Sequence, residues 1–129
     1  MNHFDFDVAV IGGGSGGYAA ARTVVAAGLK TAVIEGGEEI GGLCILRGCM
    51  PTKALLYMAE VAHMVKHSTT FGTRAGRVGL NFNQVMARKN FVIRDFVNYR
   101  VKQLNSGTFK FIRANAKFRN AHTLELTPY

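Results

Sequence analysis

The stretch VAVIGGGSGG, residues 8–17, joins an apolar segment to a cluster of glycines. The apolar run from Phe6 to Ile11 is rich in β-branched residues, which predicts a strand buried on both faces of a parallel sheet. Residues 15–27 are rich in alanine, which predicts a helix that packs closely on this strand and stops at Gly28. LKTAVIE, residues 29–35, predicts a second buried strand. Strand, helix and strand in about 30 residues form a βαβ unit, so the sequence predicts an α/β fold.

The glycines of this stretch match the pattern G-x-G-x-x-G at Gly12, Gly14 and Gly17. In such a loop the first glycine permits a tight turn, the second lets the backbone approach a pyrophosphate, and the third lets the helix pack closely on the strand. The N–H groups at the start of the helix, where Ser15 and Gly16 lie, would then face the phosphates. The pattern predicts a Rossmann-like dinucleotide-binding domain and leaves FAD and NAD(P) as alternatives.

Glu35 ends the second predicted strand, 18 residues beyond Gly17. An acidic residue at this point accepts hydrogen bonds from the ribose hydroxyls of the adenosine half and repels a 2′-phosphate. The glycine motif alone is also compatible with an ordinary glycine-rich turn. The strand, helix, second strand and terminal Glu35 together favour dinucleotide binding.

The rest of the sequence predicts two long helices and a β tail. Together with the βαβ unit, they form one domain over residues 1–129. The helices are predicted over 51–68 and 83–104, and residues 109–127 predict two or three short antiparallel strands. The residues expected to face inward are Leu55, Met58, Ala62 and Val65 in the first helix, and Val85, Val92, Phe96 and Leu104 in the second. We therefore expect a central parallel sheet, flanking helices and a small C-terminal antiparallel β segment.

Both cysteines of the chain, Cys44 and Cys49, lie in GGLCILRGCMPTK, residues 41–53. No secretory signal is recognisable, so we expect a cytoplasmic protein, and a reducing compartment favours catalytic or metal-binding cysteine pairs over structural disulfides. Cys49 lies two residues before Pro51 at a helix start, where the helix dipole would lower the pKa of its thiol, and Arg47 adds a positive charge. Two thiols placed near a dinucleotide can accept and release two electrons.

The cysteine segment also carries a more specific pattern, GG-x-C-x4-C-x-P-x-K. Its members are Gly41, Gly42, Cys44, Cys49, Pro51 and Lys53. With this pattern and the glycine motif, the whole chain resembles the pyridine nucleotide-disulfide oxidoreductases of the dihydrolipoamide dehydrogenase, mercuric reductase and glutathione reductase kind.

This resemblance implies roles for individual residues. It implies FAD in the cradle of residues 12–17, with Glu35 on the adenosine ribose and Gly42 beside the cofactor. Cys44 would exchange with the substrate, and Cys49 would face the flavin as the charge-transfer thiol. Lys53 would lie near the reactive end of the isoalloxazine ring and stabilise the anionic reduced flavin. The segment IRANAKF is similar to the family segment whose backbone holds the adenine, which suggests Ala116.

The resemblance also implies a reaction, in which electrons pass between NAD(P)H, FAD, the cysteine pair and a small-molecule disulfide, dithiol or metal ion. A dihydrolipoamide dehydrogenase-like activity is favoured, in a homodimer. Family members continue through the rest of the FAD domain into an NAD(P)H domain and an interface domain, so we expect an N-terminal fragment that is inactive alone. Leu43 and Arg47 depart from the family pattern and leave the substrate open. The alternative is a truncated, non-catalytic dinucleotide-binding or interaction module.

Other classes of function are less favoured by the composition. The formal net charge of +8 raises nucleic-acid binding as a third hypothesis, but the basic residues are scattered and form no nucleic-acid motif. No apolar run reaches the roughly 18 residues that a membrane span needs. His63 and His67 have a spacing that can bind zinc, but the sequence offers no apparent third ligand, so no metal site is expected.

Overall fold

The computed structural model describes residues 4–129 of the chain. Its strands and α-helices are, in order, β1 (Val8–Ile11), α1 (Ser15–Ala26), β2 (Thr31–Glu35), α2 (Gly42–Leu46), α3 (Cys49–Lys66), α4 (Phe82–Leu104), β3 (Lys110–Asn120) and β4 (Thr123–Pro128). A short 3₁₀ helix over Ser68–Phe71 follows α3. The four strands form one sheet in the order β1-β2-β3-β4. The predicted α/β class, with a mostly parallel sheet and flanking helices, is confirmed.

The parallel part of the sheet differs from the prediction at its first strand. β1 pairs with β2 in parallel, with Val10 opposite Val33, but it lies at the edge of the sheet. Its residues alternate between half-buried and exposed, and Ile11 is 50% exposed. The prediction that this strand is buried on both faces and starts at Phe6 is therefore wrong. β2, the central strand, has the buried character that its apolar sequence predicts.

The C-terminal part of the chain forms two strands, β3 and β4. β3 pairs with two different strands along its length. Its first residues, Lys110 to Arg113, pair in parallel with β2, and its later residues pair antiparallel with β4. The prediction of antiparallel strands is right only for the second half of β3, which pairs with β4. No glycine or proline separates the halves of β3, so the sequence gives no sign that one strand changes partner along its length.

The hydrophobic core lies where α1 and the end of α4 meet one face of the sheet. Ala21, Val33, Leu104 and Phe109 are its buried members. Tyr18 of α1 packs edge-on against Phe109, with 6.2 Å between the ring centroids. Leu104 is fully buried, as its place on the predicted inward face of α4 indicates.

The other predicted inward faces are only partly covered. In α3 no residue is fully buried, and Val65 is 39% exposed. In α4, Phe96 is 41% exposed. An apolar groove of about 690 Å³ therefore lies between α3 and α4, and neither cysteine lines it.

A close contact between α1 and β1 makes Gly17 the most constrained glycine of the loop. A Cβ atom at Gly17 would lie 1.9 Å from the carbonyl oxygen of Gly12. At Gly16 a Cβ atom would meet nothing within 4 Å. The two neighbouring glycines therefore offer a matched pair of substitutions.

We expect Gly17→Ala to lower the free energy of unfolding by about 1–3 kcal/mol, because the backbone must shift to admit the methyl group. Gly16→Ala should raise it by about 0.5–1 kcal/mol, because alanine loses less entropy than glycine in a helix. Urea unfolding of the two variants measures both values. Equal stability of the two variants would show that the contact with Gly12 does not restrict this position.

Candidate redox and dinucleotide site

The glycine loop leaves the start of α1 open to a ligand. Gly12 turns the chain with a φ of +104°, and its N–H donates to the carbonyl oxygen of Ile34, 2.7 Å away. Gly14 is the N-cap residue of α1, where no side chain caps the first N–H groups and no acidic residue lies in the first turn. These N–H groups and the helix dipole favour an anionic ligand, which is the arrangement that a pyrophosphate needs.

Glu35 ties the glycine loop to the segment that follows β2. The N–H of Gly13 donates to one carboxylate oxygen at 2.8 Å, and the N–H of Gly37 donates to the other at 2.7 Å. Each oxygen of a carboxylate can accept a further hydrogen bond. Glu35 can therefore still accept from ribose hydroxyls while it holds the loop.

The two cysteines lie on consecutive helices, the first of which begins against the glycine loop. Cys44 is half-buried on α2, Cys49 is the exposed first residue of α3, and both are free thiols. Gly42, at the start of α2, has a φ of +67°, and a Cβ atom there would lie 2.7 Å from the Cα atom of Gly14. Only glycine fits this contact, which brings the thiols to the cradle. The five-residue helix α2 was not predicted, because so short a helix has no periodic signal.

The pKa values of the two thiols move in opposite directions. A hydrogen bond between the two thiols lowers the pKa of Cys44; burial raises it to a lesser extent, while the Ser15 hydroxyl and the charge of Lys53 lower it further. The same contact raises the pKa of Cys49.

The prediction that the helix start lowers the pKa of Cys49 is wrong for the reduced chain. Its physical reason was sound, since a helix N-terminus does favour a thiolate. The neighbouring Cys44 has the larger effect, because two negative charges side by side are unfavourable and the Cys49 proton is held in the hydrogen bond. Lys53, one helical turn beyond Cys49, favours the thiolate at both positions.

Ser15 has an effect on Cys44 that the sequence did not predict. Predicted only as part of the phosphate cradle, its hydroxyl also lowers the pKa of the Cys44 thiol. The first residue of α1 therefore lies close to both the glycine loop and Cys44. No spacing rule links positions 15 and 44, which the contact between Gly14 and Gly42 brings together.

Arg100, on α4, lies beside the same loop. It is half-buried, and its Cζ atom lies 4.1 Å from the centroid of the Tyr18 ring. One terminal nitrogen makes a long hydrogen bond of 3.5 Å to the carbonyl oxygen of Gly14. A signal was present in the sequence, because Arg100 lies four residues after Phe96 and four before Leu104, on the helix face that carries both.

Arg47 pairs with an acidic side chain, whereas the sequence suggested that its charge acts on Cys49. It forms an ion pair with Glu39, and both side chains are more than half exposed. A surface pair of this kind contributes at most about 1 kcal/mol. Arg47 also lines a shallow cleft of about 330 Å³ at the end of β2, whose other residues are Glu35, Gly37, Glu38, Glu39, Gly42, Leu43 and Leu46.

Ala116 lies beyond the end of β2, in the part of β3 that pairs with β4, opposite Leu126. Neighbouring residues of β3 reach the segment after Glu35: Arg113 donates to the carbonyl oxygen of Gly37 at 2.6 Å. The carboxyl end of the parallel sheet thus collects Glu35, the glycine loop and this part of β3 at one edge, although Ala116 itself is not seen to contact the cradle.

Two other kinds of site are absent from residues 4–129. The rings of His63 and His67 stack with 4.1 Å between centroids, and no group of three or more His, Cys, Asp and Glu side chains is close enough to hold a metal ion in this part of the chain. Within the same range, none of the helices combines the length and apolar character required to cross a bilayer.

Known proteins are similar to most of this chain. Residues 6–126 match the family model described as pyridine nucleotide-disulphide oxidoreductase. The dihydrolipoyl dehydrogenase of Bacillus subtilis is 46% identical over 89 residues, which are 69% of this chain and 19% of that protein. The dihydrolipoyl dehydrogenase of Chlamydia trachomatis is 48% identical over 89 residues, again 69% of this chain and 19% of that protein.

A glutathione reductase of Nostoc is 29% identical over 123 residues, which are 95% of this chain and 27% of that protein. The matched region is thus only about a fifth to a quarter of the length of these relatives. Because the family model matches nearly the whole chain, this chain belongs to the pyridine nucleotide-disulphide oxidoreductase family.

Proposed function

We propose that this chain is the FAD-binding and redox-thiol part of a flavoprotein disulfide oxidoreductase with dihydrolipoamide dehydrogenase-like chemistry. The observation that supports the proposal is the contact between Gly14 and Gly42, which holds the helix of Cys44 against the glycine loop at the start of α1. A dinucleotide-binding module without redox function would have no need for this contact.

The residues present fit FAD. The uncapped start of α1 suits the pyrophosphate, and Glu35 has acceptor capacity left for the ribose. Lys53 is exposed one turn into α3, where its cation would stabilise negative charge on a cofactor that lies against Cys49. When bound, FAD would supply the two-electron chemistry that the thiols exchange with, and NAD(P)H is the proposed partner on the other side of that exchange.

The thiol pair suits exchange with a small disulfide or dithiol. As a thiolate, Cys44 attacks one sulfur of a substrate disulfide, forms a mixed disulfide and releases the other substrate sulfur as a thiolate. Cys49 then loses its proton to water and attacks the Cys44 sulfur. This step forms the Cys44–Cys49 disulfide and releases the second substrate thiolate. The substrate has gained the two electrons that the pair has lost, and the reverse sequence oxidises a dithiol.

The lower pKa of Cys44 supports its role as the thiol that meets the substrate, since the thiolate is the nucleophile. Cys49, at the start of α3, is the proposed thiol on the flavin side. The relatives' names support lipoamide and glutathione as the chemical class of substrate, a dithiol or disulfide of low molecular weight. A metal ion as substrate and a homodimeric assembly rest on the family resemblance alone.

The first test is a visible absorbance spectrum of the purified chain after incubation with FAD and desalting, before and after anaerobic reduction with dithiothreitol. We expect retained flavin bands, and a long-wavelength charge-transfer band after reduction. The band should be lost in Cys49→Ser and kept in Cys44→Ser, because only the flavin-side sulfur lies against the ring. Loss of the band in Cys44→Ser alone would reverse the two roles. No retained flavin would favour the non-catalytic alternative.

A second prediction concerns Glu35. Glu35→Gln replaces one acceptor oxygen by an NH₂ group, which cannot accept from the N–H of Gly13 or Gly37 or from a ribose hydroxyl. Hydrogen bonds to a charged group contribute about 1.5–3 kcal/mol, so FAD should bind about 10- to 100-fold more weakly. Equilibrium titration of flavin fluorescence measures the change. Glu60→Gln, on the exposed surface of α3, is the matched control, and equal affinity of the two variants would contradict the role of Glu35.

A further inference from the structure

Arg113 lies opposite Glu35, at the point where β3 pairs in parallel with β2. One terminal nitrogen of its guanidinium donates to the carbonyl oxygen of Gly37 at 2.6 Å, and at 3.4 Å to that of Glu38. The ring of Tyr129 lies beside the guanidinium, with 5.0 Å between Cζ and the ring centroid. Arg113 therefore joins β3 to the turn that follows β2.

This turn is packed closely between β2 and β3. A Cβ atom at Gly36 would lie 2.9 Å from the carbonyl oxygen of Ala114 in β3, which leaves no room for a side chain. The next residue, Gly37, is bound on two sides. Its N–H donates to the carboxylate of Glu35, and its carbonyl oxygen accepts from Arg113.

The hydrogen bonds of the turn form a continuous path from β3 to the glycine loop. Arg113 donates to Gly37 at 2.6 Å, Gly37 donates to one oxygen of Glu35 at 2.7 Å, and Gly13 donates to the other at 2.8 Å. Among residues 4–129, no ion pair joins Arg113 and Glu35 directly. An effect of Arg113 on the glycine loop therefore passes through Gly37.

The second terminal nitrogen of Arg113, Nη1, is buried and has no hydrogen-bond partner among residues 4–129. Burial of a donor without a partner is unfavourable, and this offsets part of what the bond to Gly37 contributes to stability. Removal of the side chain takes away both effects. We therefore expect the main effect of Arg113 to be local, on the position of Gly37.

We propose that Arg113 is a positioning residue of the dinucleotide site, which fixes the carboxylate of Glu35 against the glycine loop by holding Gly37. The inference rests on the proposed use of Glu35 and the loop in binding FAD. A carboxylate already held by two N–H groups is preorganised, so less conformational freedom is lost when a ligand binds. If Arg113 only joined the turn to β3, its replacement would lower the stability of the whole chain without a separate effect on the loop.

The first test contains no flavin and measures amide hydrogen exchange at Gly13 by NMR of the ¹⁵N-labelled chain. Gly13 is buried and its N–H bonds to Glu35, so its exchange reports how firmly the carboxylate is held. Val33, fully buried in the central strand, reports global unfolding in the same spectrum.

The variant is Arg113→Met, which removes the donor and leaves no polar group buried at this position. Arg119→Met, at an exposed position of the same strand, is the matched control. Both changes are also made in a Glu35→Gln chain, where the path to the loop is already broken.

We expect Arg113→Met to raise exchange at Gly13 by about two- to tenfold relative to the change at Val33, which is the size of one hydrogen bond. Arg119→Met should stay within about twofold of the unmodified chain. In the Glu35→Gln chain, Arg113→Met should also have an effect below about twofold, because the two residues act in series. Equal changes at Gly13 and Val33, or an equal effect of Arg113→Met in both chains, would overturn the proposal.

The second test measures FAD affinity by flavin fluorescence in the same chains. Arg113→Met should weaken binding by about two- to tenfold in the unmodified chain and by less than about twofold in Glu35→Gln. Unchanged affinity in Arg113→Met would show that the path does not serve binding, and would overturn the positioning role.

The two tests separate this proposal from the proposed function. If the unmodified chain retains no FAD, the flavoprotein proposal fails, while raised exchange at Gly13 in Arg113→Met still supports the path from Arg113 to the loop. Flavin binding with unchanged exchange at Gly13 would do the reverse.

Circular dichroism checks that each variant is folded. If Arg113→Met does not fold, Arg113→Gln, whose side chain is shorter than that of arginine, takes its place with the same expected results. If neither folds, Glu35→Gln is compared with the unmodified chain by NMR. The freed Gly37 should then change the ¹⁵N signal of the Arg113 guanidinium, and an unchanged signal would contradict the proposal.

Discussion

The structure of this site depends on one close approach, in which the backbone of Gly42 lies against the backbone of Gly14. A Cβ atom at Gly42 would lie 2.7 Å from the Cα atom of Gly14, closer than two non-bonded carbon atoms approach each other. The position of the cysteine segment follows from this contact. It sets α2 on the start of α1, and thereby brings Cys44 to Ser15 and the thiol pair to the dinucleotide cradle.

The electrostatics of the site follow from the same arrangement. The uncapped start of α1 favours an anion, and the charge of Lys53 lowers the pKa of both thiols. Both effects favour negative charge. Within the pair, the neighbouring thiol lowers the pKa of Cys44 and raises the pKa of Cys49.

Much of the fold was predictable, because it depends on local patterns. The βαβ unit, the glycine loop, Glu35 and the long helices were predicted from apolar periodicity and from glycine positions. The errors have a common cause. β1 was taken as buried, and β3 as part of an antiparallel tail, because the order of strands in a sheet depends on contacts between distant segments. The incomplete burial of α3 and α4 has the same origin, since periodicity shows which face is apolar but not whether another element covers it.

The sequence by itself determined the class of fold, the glycine loop and the close spacing of the two cysteines, because these depend on residue types at fixed spacings. Tertiary structure alone set Gly42 against Gly14 and thereby brought Cys44 close to Ser15. This contact joins two segments that are distant in the sequence, which no local pattern contains. A charge acts through space rather than along the chain, and so its effect appears only when the chain has folded.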